Sequence, residues 1–481
     1  MKFLSSMDED KAILQYDILG SEAHCIMLHE IGIITRQELK RILTAFEEAR
    51  NQSNEIPTKG FEDIHEALES FAISKVGMDT AGKIQSGRSR NDQISLDIRM
   101  KLRDDLNSIC TAALELATVL VSIAKKHTRT IMIMYTHLQQ AQLGSFAHYL
   151  ISYAEGLLRD VERLDSCHSR VNLSPLGACA IGGSTIPIDR LRTACLLGFD
   201  GIVDNSLDAT SSRDSFLEYV SNLAILMTNL SRLAEDLIIW SSTEFGFIEL
   251  SDQYSSTSSA MPQKKNPDPL ELTRSRTSLV IGDLLSMLSM IKSLPSGYSR
   301  DLQDLKPPLF DATLKALDSL QIIASVLNST TVRSKKMYDT ATKSDAIALD
   351  LAEQLVIRKK IPFRAAHKVV GSLVKGASDL NVPIRKLSLG QINRILNFGR
   401  VDTVKAGEIF ALVKEITPKR SLSERKTLGS PNPSLQDKAI LGLDHRIRGS
   451  TKALRLRLSK SRKAYSNLST LVHKYMRDEL K

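Results

Sequence analysis

The stretch SFLEYVSNLAILMTNLSRLAEDLIIWSSTE, Ser215 to Glu244, contains neither glycine nor proline, and its reading decides the fold. Within it Phe216, Val220, Leu223, Met227, Leu230, Ala234 and Leu237 recur at alternating steps of four and three. That spacing lines one face of an α-helix, and so regular a seam marks helices packed side by side in a bundle. Its 30 residues make a helix of roughly 45 Å. A second window free of both breakers runs from Ile94 to Thr130, and further long helices are expected from about Ser145 to Val171 and from about Pro269 to Leu294. Strand-like alternation is nearly absent. The expected fold is all-α: residues 88–336 form a central domain of long helices and their connecting polar loops, flanked by smaller helical domains at 1–87 and 337–481.

The composition, 42% hydrophobic and 25% charged over 481 residues, is that of a soluble globular protein. The opening MKFLSSMDED turns acidic before any apolar run develops, so no signal peptide is expected. The most apolar stretch, CTAALELATVLVSIAKK from Cys110, is interrupted by Glu115 and is too short to span a bilayer. Five cysteines without CxxC spacing indicate neither a disulfide framework nor a zinc site. A cytoplasmic protein is expected, with no metal, cofactor or membrane partner. The net charge of +9 is a property of the C terminus, where 16 lysines and arginines face 5 acidic residues after residue 417. In that tail Leu454, Leu458, Tyr465, Leu468, Val472 and Tyr475 form a near-heptad seam interrupted by Ser461. A helix packing one face and solvating its basic face is therefore expected, rather than a nucleic-acid arm. Every candidate catalytic group precedes residue 310, so the tail is expected to be dispensable for chemistry.

Polar loops punctuate the helices. SSTSSAMPQKKNPDPLE, Ser255 to Glu271, concentrates hydroxyls, two lysines and an amide among three prolines that exclude a regular helix. KIQSGRSRNDQ, MYTHLQQAQ, SPLGACAIGGS, DNSLDATSSRD and SGYSRDLQDLKPP are the others. In a bundle, helix ends a hundred residues apart in sequence can meet, so such loops can build one site. GACAIGGS falls short of a phosphate-binding loop, because Gly183 stands where its lysine must be.

The run Ser258-Ser259-Ala260-Met261-Pro262-Gln263-Lys264-Lys265-Asn266-Pro267 resembles the SSxMPxKxNP motif of the fumarase/aspartase superfamily. SGRSRNDQ (86–93), YTHLQQAQ (135–142), NSLDATSSRD (205–214) and YSRDLQDLKPPLFDA (298–312) are similar to the argininosuccinate lyase family within it, as is PFRAAHKVVG (362–371) more weakly. The resemblance runs from about Ser5 to about residue 440. The sequence departs from the family pattern at Gln85, Ile133, Met134, Leu143, Cys179, Ser212 and Thr257, none of them a proposed catalytic group.

That resemblance implies the reversible anti elimination of argininosuccinate to fumarate and L-arginine, the last step of arginine biosynthesis. A proton leaves the carbon beside a carboxylate, the extra charge rests there as an aci-carboxylate, and the C–N bond breaks. Fixed cations and amides must meet that charge, a role that falls to Lys264 and Asn266. By the same resemblance Ser258 is the general base, activated when its loop closes over substrate. His137 is the active-site histidine and Glu271 its paired carboxylate, for proton transfer at the leaving nitrogen or for positioning. Substrate-binding positions are Ser6, Arg90, Asn91, Thr136, Tyr298, Arg300, Gln303 and Lys306, with His65 near the site and Arg88 placed lower. A homotetramer with sites shared between subunits is implied.

Overall fold

Five helices form the body of the molecule: Arg90–His127, Phe146–Val171, Asp214–Ser241, Asp268–Ile291 and Lys306–Ser329. They belong to a computed structural model that describes residues 2–52, 56, 60–399, 404–477 and 479. The chain is mostly helical, as its heptad-like seams require. All seven seam positions from Phe216 to Leu237 are buried against the neighbouring helices. Helix Leu14–Glu30 packs against Arg90–His127, and Arg36–Asn51 and Ile64–Val76 pack on Leu14–Glu30 and on each other.

The helix ends are specified locally. Ser89 caps Arg90–His127, and Asp92 returns the contact by accepting the Ser89 amide at 2.9 Å, a reciprocal box. The prolines of NPDP and KPP are helix starters rather than breakers. Asp268–Ile291 and Lys306–Ser329 both carry proline at their first positions, where no intrahelical donor is lost. Asp268 and Glu271 lie in the first turn of their helix, on its positive end.

Two expected loops are hairpins instead. MYTHLQQAQ belongs to an antiparallel pair, Ile131–Thr136 with Gln139–Ser145, with an irregularity between Ile133 and Tyr135. Its turn is the pair His137 and Leu138, both with positive φ, 54° and 55°. A two-residue hairpin turn of this hand matches strand twist but normally selects Gly or Asn. The serine loop likewise folds back, Ser256–Thr257 pairing with Lys265–Asn266, so that residues 258–264 form the tip.

The first hairpin separates two apolar cores. Met132 points into the main one, while Ile131, Ile133 and Leu143 join a second core that includes Leu351, Leu373, Ile392 and Ile409. Alternate strand residues face opposite sides, so one short strand serves both. The terminal helix, Pro433–Met476, bypasses that second core. Its Ile440, Leu443, Leu454, Leu468 and Val472 complete the main core against Arg90–His127. The basic tail is thus integral to the fold, and a chain ending near Ser450 would strip Leu454, Leu468 and Val472 from that core. Of the described helices, Arg90–His127 is long and apolar enough to cross a membrane, but its Leu102, Leu106, Leu116 and Leu120 are buried inside the protein.

Candidate active site

The thirteen residues singled out from the sequence fall into three groups. Ser6, Arg90, Tyr298, Arg300, Gln303 and Lys306 gather around two chain segments, 4–10 and 62–66. The Arg300 guanidinium donates to the Leu4 carbonyl at 2.9 Å and to the Glu62 carboxylate at 3.0 Å, and Gln303 donates to the same carbonyl at 3.5 Å. Arg90 lies 3.4 Å from Asp63 and 3.7 Å from Glu66. Tyr298 is half-buried, and burial raises its pKa, against the opposing pull of Arg213 and Arg300. Asn91 borders this group and donates from its side-chain amide to the Ala180 carbonyl at 2.9 Å.

The second group is the exposed hairpin tip, Thr136 and His137. His137 and the adjoining Leu138 are held in the left-handed region, which costs about 1–3 kcal/mol each. Such strain at a projecting tip is characteristic of a functional segment.

The third group is the serine hairpin. Ser258 Oγ accepts two backbone amides, Ala260 N–H at 3.2 Å and Met261 N–H at 3.1 Å. The Ser258 amide in turn donates to the Lys264 carbonyl at 3.3 Å, closing the tip. Lys265 is engaged by Glu249 at 3.4 Å and by Asp252. Lys264 makes no ion pair among the described residues and projects into solvent. Asn266 is half-buried at the base, and Glu271 is exposed on the helix that follows. A cavity of about 700 Å³ beneath this hairpin is lined by Tyr254, Ser256, Leu272, Arg276 and Ile322, and by none of the proposed catalytic side chains.

Among the described residues, no hydrogen bond or ion pair links one group to another. His137 and Glu271 are not paired within the chain. The hairpin tip and the serine hairpin, which carry the proposed catalytic side chains, are exposed, while the group around Ser6 and Lys306 sits at a different end of the fold.

Several polar residues near this group were not singled out from the sequence. Asp10, in the acidic run MDED, is fully buried and contacts both Ser6 and Lys306. Asp92 accepts the amides of Gly177 and Cys179, both at 2.8 Å, and so pins the SPLGACAIGGS loop beside Asn91. Arg213 is buried without an ion pair among the described residues; burial and the nearby Arg99 lower its pKa to about 10.

His65 and Arg88 are structural. Arg88 is buried and donates to Ser21 at 2.9 Å and Gln85 at 3.3 Å. His65 Nδ1 lies 3.1 Å from Asp17 and 3.5 Å from Asp97, all three buried and close enough to suggest a metal site. A protonated imidazole already supplies the cation: burial alone would lower its pKa, but attraction to Asp17 and Asp97 outweighs this and raises it to about 9. A raised histidine pKa contributes stability that is full below the unfolded value and is lost as pH rises through the folded one. The thermal midpoint is therefore expected to fall between about pH 6.5 and 9. His65→Gln should lower the midpoint at neutral pH and flatten that alkaline decline; an unchanged decline would assign it to other groups.

The bundle and its loops are those of a lyase fold, and comparison with known proteins narrows the class. Residues 1–282 match the family described as Lyase, and residues 345–415 match the argininosuccinate lyase C-terminal family. The chain is 48% identical to the argininosuccinate lyase of Nitrosopumilus maritimus, covering 92% of this chain and 90% of that one. It is 39% identical to the argininosuccinate lyase of Methanococcoides burtonii, covering 98% and 96%. A crystal structure of EDDS lyase in complex with formate superposes with a TM-score of 0.89 at 29% identity, covering 97% and 93%. The chain belongs to the argininosuccinate lyase family of the fumarase/aspartase superfamily.

Proposed function

We propose that this chain cleaves argininosuccinate to fumarate and L-arginine by reversible anti elimination, in the cytoplasm, as a homotetramer whose sites combine groups from different subunits. Family membership supports the reaction. The observation that carries the mechanism is the pair of backbone amides on Ser258 Oγ. A serine hydroxyl is too weakly acidic to be ionised in water, but two fixed N–H donors favour its alkoxide where it forms. Ser258 takes the proton from the carbon beside the carboxylate. The electron pair moves into that carboxylate, where Lys264 and Asn266 meet the charge. It then returns as the C–N bond breaks, forming fumarate's double bond. His137, oriented by Glu271 from across a subunit boundary, serves the leaving nitrogen, and the Ser6–Lys306 group holds the substrate.

Assembly is argued from the helix Asp268–Ile291. Of its residues Leu272 and Leu279 are exposed on one face, and Ile281, Leu285 and Leu288 on roughly the opposite one, two apolar stripes on a central bundle helix. Exposed stripes of this kind mark association surfaces. Bundling copies through them would bring foreign hairpin tips to each binding group.

The direct test is ultraviolet absorbance of fumarate released from argininosuccinate, with adenylosuccinate in parallel. Turnover of adenylosuccinate alone would overturn the reading. For shared sites, His137→Asn and Arg90→Ala chains, each inactive alone, should recover activity when co-assembled. Random mixing leaves about a quarter of sites with both groups intact. No recovery would place both residues in one chain's site.

A further inference from the structure

We infer that the outward face of the terminal helix, Pro433–Met476, docks the phosphodiester backbone of duplex nucleic acid without regard to base sequence. Residues 445–477 hold ten lysines and arginines and no aspartate or glutamate. Up to residue 417, by contrast, the chain carries two more acidic than basic residues. The positive excess is therefore concentrated on one element, and the structure divides its cations into two sets. Arg446 reaches Glu155 at 2.6 Å and Glu162 at 3.3 Å, Arg457 reaches Asp165 at 2.7 Å, and Lys460 pairs with Asp200. These three fasten the helix to the body. Arg448, Lys452, Arg455, Arg462 and Lys463 are all exposed and make no ion pair among the described residues.

Helical geometry places those five within an arc of about 100° and along about 22 Å of the axis. They lie on the side away from the buried Leu454, Ser461 and Leu468. Arg448, Arg455 and Arg462 recur every seven residues and so stand in one row, with the exposed hydroxyls of Ser459 and Ser466 beside it. Guanidinium groups bind phosphate oxygens two at a time, and hydroxyls add further donors. At about 3.4 Å per phosphate, a row of this length follows about six successive phosphates of one strand.

Two features select a duplex. The helix is packed along its opposite face, so its row of charge is straight and stiff, as is the backbone of a duplex. Binding of single strands draws on stacked aromatic rings, and neither tyrosine of the segment is free to stack. Tyr465 is bonded to Arg103, and Tyr475 is buried. A membrane is a poorer match, because Leu454, Leu468 and Val472 are spent on the core and leave no apolar face to insert.

The test is fluorescence anisotropy of a labelled duplex of about 12 bp, titrated with the assembled enzyme between about 50 and 200 mM salt. Five phosphate contacts predict a slope of log K against log salt of about −4.5. Replacing three of them, as Arg448→Gln/Arg455→Gln/Arg462→Gln, should reduce the slope to about −1.8 and weaken binding by about tenfold or more at the lower salt. Thermal midpoint and fumarate release should stay unchanged, since these side chains touch neither the core nor the candidate active site. Lys335→Gln/Lys336→Gln/Lys343→Gln, on the helix Ser334–Lys343, removes the same charge elsewhere and should leave the slope as it was. An equal loss in that variant would reduce the attraction to net charge and overturn the inference. So would a slope unaltered by the arginine substitutions, or no binding of the duplex. Binding to phosphatidylserine vesicles without binding to the duplex would assign the face to a membrane instead.

Discussion

Replacing Ser258 with alanine is expected to lower turnover by about 10²–10⁴-fold, the usual worth of general-base assistance, with fold, assembly and KM little changed. The fold should survive because Ser258 caps an exposed hairpin tip, where the Ala260 and Met261 amides it releases can turn to water. Binding should survive because the proposed substrate contacts lie elsewhere, in the group around Ser6 and Lys306. Ser259→Ala should be much milder: its side chain is exposed, and the two amides converge on Ser258 Oγ instead. Lys264→Ala should be nearly as severe as Ser258→Ala, since the aci-carboxylate would lose its cation. Fumarate release under saturating substrate measures all three. Near-normal turnover in Ser258→Ala with none in Ser259→Ala would shift the base by one residue. If both remained active, the serine base would be abandoned and His137 would become the leading candidate.

The double substitution Leu279→Glu/Leu285→Glu is expected to yield folded but separated chains with no measurable turnover. Both leucines are more than half exposed, at 52% and 65%, so an isolated chain tolerates charge there. In an assembly each leucine buried contributes about 1.5–3 kcal/mol, and an unpaired carboxylate in its place costs more than that gain. Symmetry repeats the penalty at every equivalent interface. Light scattering and the fumarate assay on the same sample decide the matter. A monomer that turned over substrate would end the case for shared sites.

How much of this was legible in the sequence depends on how far each feature reaches along the chain. The Phe216–Leu237 seam is a local period, and its helix appears where the period places it. The terminal helix also shows its seam, but a period does not name the surface it packs on, so its docking against Arg90–His127 was not readable. The hairpin at 131–145 was hidden because its turn uses His137 and Leu138 in place of the Gly or Asn that announces such turns. The serine hairpin has strands of two residues, too short to display alternation. In the candidate site, motifs bring Ser6, Arg90 and Lys306 to attention, but the carboxylates that fix them do not stand out. Asp10 looks like one member of a solvated acidic run until Lys306, 296 residues away, is seen against it.

The return of the terminal helix onto the first long helix has a consequence for biogenesis. Arg103 bonds Tyr465 across 362 residues of chain, and Arg457 bonds Asn107 across 350. A ribosome adds residues at about 5–20 per second, so Arg90–His127 waits tens of seconds for the helix that covers it. Contacts of such separation also slow folding once the chain is complete. During synthesis the surface reserved for Leu454, Leu468 and Val472 stays uncovered, while the smaller core, formed largely from residues 341–422, can close behind it. The nascent chain is therefore most prone to aggregation just before release, and chaperones that shield apolar helix faces would act on it in that interval.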